Sequence, residues 1–292
     1  GGTPSADSAR IEALRQGLRE LGFVEGKNFV IELRSAEGKL DRIPAIAAEL
    51  VRLNVDIIVS SGGLPTRAAK EATTTIPIIM TNDPDPVGTG FVASLARPGG
   101  NITGLSTFAP ELTGKRLELL QETVLKLSRV AVFGTSTRPD HAQVLRELEL
   151  AAGALKVKLQ YLDILDSKDI ETAFRAAVKG RAEAVLMMAA GPLTSSHRTQ
   201  ILESAVKNRL PVMYPSRGIV ENGGLMTYSV NLNDLARRAA AYVDKILKGR
   251  KPADLPVEQP IKFEFIVNLK AAKQIGLTIP PNVLVRADRV IR

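Results

Sequence analysis

Apolar positions along this chain recur at two spacings, and the two alternate. Short runs rich in β-branched residues occur at Asn28–Arg34, Val55–Ser60, Ile76–Thr81 and Asn101–Ser106, bounded by Gly, Pro, Asn or Asp, and each predicts a strand. Between them the spacing lengthens to that of a helix face. Ala9–Leu21 places Ile11, Leu14, Leu18 and Leu21 on one side and stops at Gly22. Leu40–Leu53 aligns Ile43, Ile46, Leu50 and Leu53, with Asp41 as the expected cap. The series resumes with strands predicted at Arg129–Gly134, Lys156–Leu162, Ala184–Met188 and Pro211–Tyr214. Helical patterns over Arg138–Ala154, Asp169–Val178 and Ser195–Asn208 separate them. A further strand at Leu225–Asn231, a helix at Asp234–Lys248, a strand at Lys262–Leu269 and a short helix at Lys270–Ile275 complete the chain. Strand–helix alternation of this kind predicts an α/β fold with parallel, doubly wound sheets.

The pattern occurs twice. Val55–Val59 runs into the small-residue turn Ser60-Ser61-Gly62-Gly63, and Ile76–Met80 runs into Asp83-Pro84-Asp85-Pro86. Ala182–Met188 runs into Ala189-Ala190-Gly191-Pro192, and Leu210–Tyr214 into Pro215-Ser216-Arg217-Gly218. Two similar α/β units predict two lobes. The second opens with a strand at Arg129, whereas Gly1–Ser8 reads as a loop running straight into a helix. The expectation is therefore that the first strand of lobe 1 is missing from this chain; a sheet that starts at Asn28 is the alternative.

A length of 292 residues fits two domains, and 45% hydrophobic with 24% charged residues is ordinary for a folded chain. The longest apolar run, Ala184–Ala190, is strand-sized. The absence of cysteine excludes disulfides, thiolate nucleophiles and Cys-based metal sites. The two histidines, His141 and His197, are far apart in sequence, so neither a His-based metal site nor a His-dependent triad is expected, and no cofactor is predicted. Lys and Arg total 39 against 31 Asp and Glu, but the excess is dispersed and aromatic residues are scarce, which argues against nucleic acid as a partner.

In open parallel sheets ligands bind beyond the carboxyl ends of the strands. Ser61 and Gly62 sit in such a turn, which matches neither G-x-G-x-x-G nor the Walker pattern, so nucleotide binding is excluded. Asp83 and Asp85 offer carboxylates to a ligand ammonium or hydroxyl, or alternatively cap a helix beginning near Val87. Two positions in one turn would not straddle a glycosidic bond. In the second half Ser136, Asp140 and Tyr214 follow strands, and Arg217 could clamp a carboxylate or simply open a helix at the surface. No Ser lies in G-x-S-x-G. The balance of many neutral donors and few catalysts favours binding over chemistry.

Six stretches carry a further signal: Gly17–Asn28, Asp85–Gly88, Ser94–Gly104, Gly223–Tyr228, Pro252–Pro260 and Asn268–Lys273. In order and spacing they resemble the bacterial ABC-transporter substrate-binding protein family that includes the tryptophan/tyrosine-type uptake proteins. The resemblance implies a type I periplasmic-binding-protein fold, two Rossmann-like lobes joined by hinge strands with a small solute between them. It also implies a periplasmic location and a membrane permease as partner. The expected lobes are 1–107 plus 230–292, and 108–229, with hinges at Ser106–Ala109 and Tyr228–Asn231. The expected solute contacts are Ser5, Ser61, Gly62, Thr66, Asp83, Asp85, Ser136, Asp140, Gly191, Tyr214, Arg217 and Tyr228. The reading is a monomeric, non-enzymatic carrier of an amino acid or aromatic carboxylate. A regulator's sensing core and an enzyme on the same scaffold are the alternatives.

Overall fold

The computed structural model describes residues 6–37, 39–107, 111–138, 141–188, 194 and 196–292. In chain order the first elements are α1 (Ala6–Glu20), α2 (Ile43–Arg52), β1 (Ile58–Ser60), α3 (Gly63–Ala72), β2 (Ile78–Asp83) and β3 (Ile102–Ser106). There follow α4 (Glu111–Thr123), β4 (Arg129–Gly134), α5 (His141–Leu155), β5 (Lys158–Asp163), α6 (Ser167–Lys179) and β6 (Ala184–Met187). The remainder comprises α7 (Arg198–Lys207), β7 (Val212–Tyr214), α8 (Arg217–Glu221), β8 (Met226–Val230), α9 (Leu232–Leu247), β9 (Phe263–Asn268), α10 (Leu269–Gln274), α11 (Pro281–Arg286) and β10 (Arg289–Ile291).

These elements form two compact units, 1–109 with 231–262, and 110–230 with 263–292. The first holds a parallel sheet in the order β1-β2-β3, whose central strand is almost wholly buried. Helix α9 starts sharply because the Asn231 side chain accepts the Asp234 N–H at 3.0 Å. It packs along α1, and the approach is close enough that a Cβ on Gly17 would stand 2.3 Å from the Arg237 carbonyl oxygen. The second unit holds seven strands in the order β10-β9-β8-β7-β6-β4-β5, parallel except where β9 runs against β8. Its core gathers Val130, Val132, Leu186, Met213 and Met226 from the strands with Leu120, Leu148, Ile170 and Phe174 from the helices. Helix α6 opens on a reciprocal cap between Asp166 and Asp169.

Four expectations need correction. The strand expected at Asn28–Arg34 is not formed: one bridge, Glu25 to Phe29, is all that remains, and Val30 and Leu33 are 71% and 53% exposed. An apolar run becomes a strand only against a ladder partner, and this one has none among the described residues. Asp41 does not cap α2. It lies in a short 3-10 turn, Leu40–Arg42, and α2 starts on Arg42 with no side-chain cap and a Pro in its first turn. Residues 86–90 form a turn rather than a helix. Finally, Phe263–Arg292 belongs to the second unit, because β9 pairs with β8 along its length and β10 extends the same sheet. Residues 231–262 alone return to the first unit, so the chain crosses near 109, 230 and 262.

Candidate functional site

In the first unit the carboxyl ends of β1 and β2 bring five of the expected residues together. After Ser60 the chain turns through exposed Ser61 and through Gly62, whose φ of 95° is a left-handed conformation that suits glycine, into α3. Thr66 is fully buried. Its hydroxyl donates to the Gly62 carbonyl at 2.9 Å and lies 2.8 Å from the Ser60 hydroxyl, so it holds the turn from behind. Asp83, also fully buried, ends β2 and accepts the Asp85 N–H at 2.9 Å. Its second oxygen faces Gly63 at the start of α3, 3.2 Å from where a Cβ would be, and the positive end of the helix favours a carboxylate there. Asp85 closes the next turn: Oδ1 accepts the Gly88 N–H at 2.8 Å, and its carbonyl accepts the Thr89 hydroxyl at 2.7 Å. Asp85 Oδ2 has no hydrogen-bond partner among the described residues.

In the second unit the residues divide into separate groups. Ser136, following β4, donates both its backbone N–H and its hydroxyl to Asp163 at the end of β5. The Tyr161 hydroxyl donates to the same carboxylate at 3.1 Å, and the Tyr161 ring lies over Gly134, edge to face with His141. Burial raises the Asp163 carboxyl, but the hydrogen bonds from Ser136 and Tyr161 and the nearby His141 outweigh it and hold the group below the usual range. Burial and the Asp163 hydrogen bond push the Tyr161 phenol up. A small hollow beside this cluster is lined by Gly134, Thr135, Ile164, Met187 and Thr194.

Arg217 is already paired. As the first residue of α8 it donates to Glu221 at 2.9 Å and to Glu264 at 3.3 Å. Tyr214 is a core residue, 1% exposed, with its ring against Gly224. Burial raises its phenol. The half-buried Tyr228 ring packs beside Phe263, with centroids 5.8 Å apart. Ser5, Asp140 and Gly191 lie outside the described residues.

The sequence reading missed Arg116, Tyr161 and Asp163. Arg116 extends from α4 to three strands: Nε donates to the Tyr228 carbonyl within β8 at 2.8 Å, and the two terminal nitrogens donate to the Met188 and Pro215 carbonyls, just past β6 and β7, at 3.2 Å each. No carboxylate pairs with it among the described residues, and burial pushes its guanidinium down to about 10, still charged at neutral pH. A signal was present in the sequence. Leu112, Arg116, Leu119, Leu120 and Thr123 share one buried helix face, so an Arg stands where an apolar residue is the rule. Asp163 likewise ends its strand as Asp83 does.

Two α/β units with donors and carboxylates at the carboxyl ends of parallel strands define a small-molecule binding protein. The family model described as ABC transporter substrate binding protein matches residues 3–291, and the chain belongs to that family. Its members bind a small-molecule substrate, serve a transporter permease and work outside the cytoplasm. The chain is 27% identical over 274 residues to a tyrosine-binding protein of Clostridioides difficile, covering 94% of this chain and 78% of that protein. A solved conserved domain protein from Vibrio cholerae is 29% identical with a TM-score of 0.82, covering 97% and 94% of the two chains. An ABC domain from Streptococcus pneumoniae solved with L-Trp has the same fold, at 24% identity, a TM-score of 0.83 and coverage of 99% and 96%.

Proposed function

We propose that the solute is an amino acid, with tyrosine and tryptophan foremost, captured in the periplasm by a monomeric protein that performs no chemistry on it. The observation that carries this reading is the similarity to a tyrosine-binding protein along 94% of the chain. The geometry of the first unit supports it. A carboxylate with one oxygen fixed by Gly88 and the other without a partner suits a ligand ammonium, and the Ser61–Gly62 turn adds a hydroxyl and backbone approachable from outside. In the second unit Ser136, Tyr161 and Asp163 supply polar groups held in place by one another.

Calorimetric titration with L-tyrosine, L-tryptophan, L-leucine, benzoate and ribose tests the reading. Micromolar or tighter binding of an aromatic amino acid is expected, with ribose inert. Binding of benzoate or ribose in preference to every amino acid would overturn it.

A further inference from the structure

Two arginines of the second unit make opposite arrangements with their surroundings. Arg217 is half-exposed and meets two carboxylates, so its charge is matched within the protein. Arg116 is buried and, among the described residues, meets only backbone carbonyls, which satisfy hydrogen bonds and leave the net charge in place. Three of its five N–H groups donate to those carbonyls, and the others have no acceptor among the described residues. Burying an ion without a counter-charge is costly, and proteins retain such a group where something else supplies the opposite charge. Two of the carbonyls, those of Met188 and Pro215, lie just past the ends of β6 and β7, and the third, that of Tyr228, lies within β8. The ends of β6 and β7 are of the kind from which the ligand-facing turns of an open parallel sheet depart.

We propose that Arg116 is the specificity-determining cation of the second unit: it clasps three neighbouring strands, two of them just past their carboxyl ends, and reserves its charge for a carboxylate on the solute. The proposal deepens the amino-acid reading and rests on it for the identity of the anion. Arg116 acts through its field and through the turns it holds, so direct contact with the solute is not required. A lysine in its place keeps the charge and loses the three-way fork. A methionine keeps much of the stem and loses both.

The test compares L-tyrosine with L-tyrosinamide, which differ in the negative charge, in wild type, Arg116→Lys and Arg116→Met. Wild type is expected to prefer L-tyrosine by at least about 100-fold, the scale of a desolvated charge pair. Arg116→Met should reduce that preference at least about tenfold, and Arg116→Lys should retain most of it despite a lower melting temperature. A folded Arg116→Met protein with an unchanged preference would reduce the residue to a scaffold clasp, even if both affinities fell together. Should Arg116→Met fail to fold, the Arg116 Nε–H resonance of wild type decides: it should move with L-tyrosine and not with L-tyrosinamide, and equal movement overturns the proposal. Should wild type bind no L-tyrosine, the amino-acid reading fails separately. The same resonance is then titrated with acetate and acetamide, a shift with acetate alone supporting the charge requirement and no difference refuting it.

Discussion

Asp85 Oδ1 accepts the backbone N–H of Gly88 at 2.8 Å, and a Cβ on Gly88 would stand 2.0 Å from Oδ2 of the same carboxylate. The acid that closes this turn is thus also the one we propose for a ligand ammonium, and substitutions can separate the two roles. Asp85→Asn keeps an oxygen for Gly88 and removes the charge. Its melting temperature should stay near wild type while affinity for L-tyrosine falls at least about tenfold. Asp85→Ala should add a stability loss of about 1 kcal/mol, the usual scale of a lost hydrogen bond. Thermal melts and calorimetry on both variants check this, and an Asn variant that binds like wild type would return Asp85 to a purely structural role.

Gly17 provides a test of how α1 and α9 meet. A Cβ there would lie 2.3 Å from the Arg237 carbonyl oxygen and 2.8 Å from the Ala240 side chain, so Gly17→Ala must push the helices apart. The expected loss is about 1–3 kcal/mol despite the better helix propensity of alanine. Gly153, in α5, has nothing within 4 Å of the same position, and Gly153→Ala should be neutral or stabilising by up to about 1 kcal/mol. Urea unfolding of the pair separates propensity from packing; a stable Gly17→Ala protein would mean the helices do not approach this closely.

The alternation of β-branched runs with helical faces was enough to place nearly every strand, because buried parallel strands such as Ile78–Asp83 read as continuous apolar segments. It failed at Asn28–Arg34 because a strand needs a neighbour, which composition does not encode. The allegiance of Phe263–Asn268 was illegible for a related reason: an antiparallel partner at Met226–Val230 is a long-range choice, not a local pattern. At the candidate site, the turn glycines and Asp85 were visible as residue types at strand ends. That Thr66 faces inward, and that Arg217 is already paired with Glu221 and Glu264, depends on side-chain direction and on elements distant in sequence. Arg116 was passed over because its three acceptors are backbone carbonyls, which any sequence supplies.

Asp163 should govern part of the acid limb of stability. Its carboxyl is held below the ordinary value of 3.8 in the folded protein, where burial opposes ionisation but the Ser136 and Tyr161 hydrogen bonds prevail. The folded state therefore binds fewer protons than the unfolded state below that value. The stabilisation is present above about pH 3.8 and is lost as the pH falls through the folded carboxyl's own lower value. Asp163→Asn should flatten that limb and leave the slope above pH 5 unchanged. Urea midpoints measured from pH 2.5 to 7 decide, and parallel curves for the two proteins would show that the cluster carries no such linkage.

Glu264 gives the opposite sign and a test of what Arg217 does. Burial raises the Glu264 carboxyl above its ordinary 4.5; Arg217 opposes this, while Glu221 and Asp288 add to it. The folded state binds more protons than the unfolded one from about pH 4.5 up to the raised value, so stability falls as pH rises through that window. Removing Arg217 takes away the influence that favours the charged form and leaves a carboxylate 13% exposed beside other acids. Arg217→Ala should therefore lose stability at pH 7, regain part of it on acidification toward pH 5, and bind L-tyrosine within about threefold of wild type, since its charge is matched by Glu221 and Glu264. Arg217→Ala,Glu264→Gln should recover the neutral-pH loss, because the uncompensated charge is gone. Urea unfolding across pH 5–8 with calorimetry at pH 7 reads all three. A large loss of affinity without a pH-dependent loss of stability would instead make Arg217 a solute contact, as the sequence alone suggested.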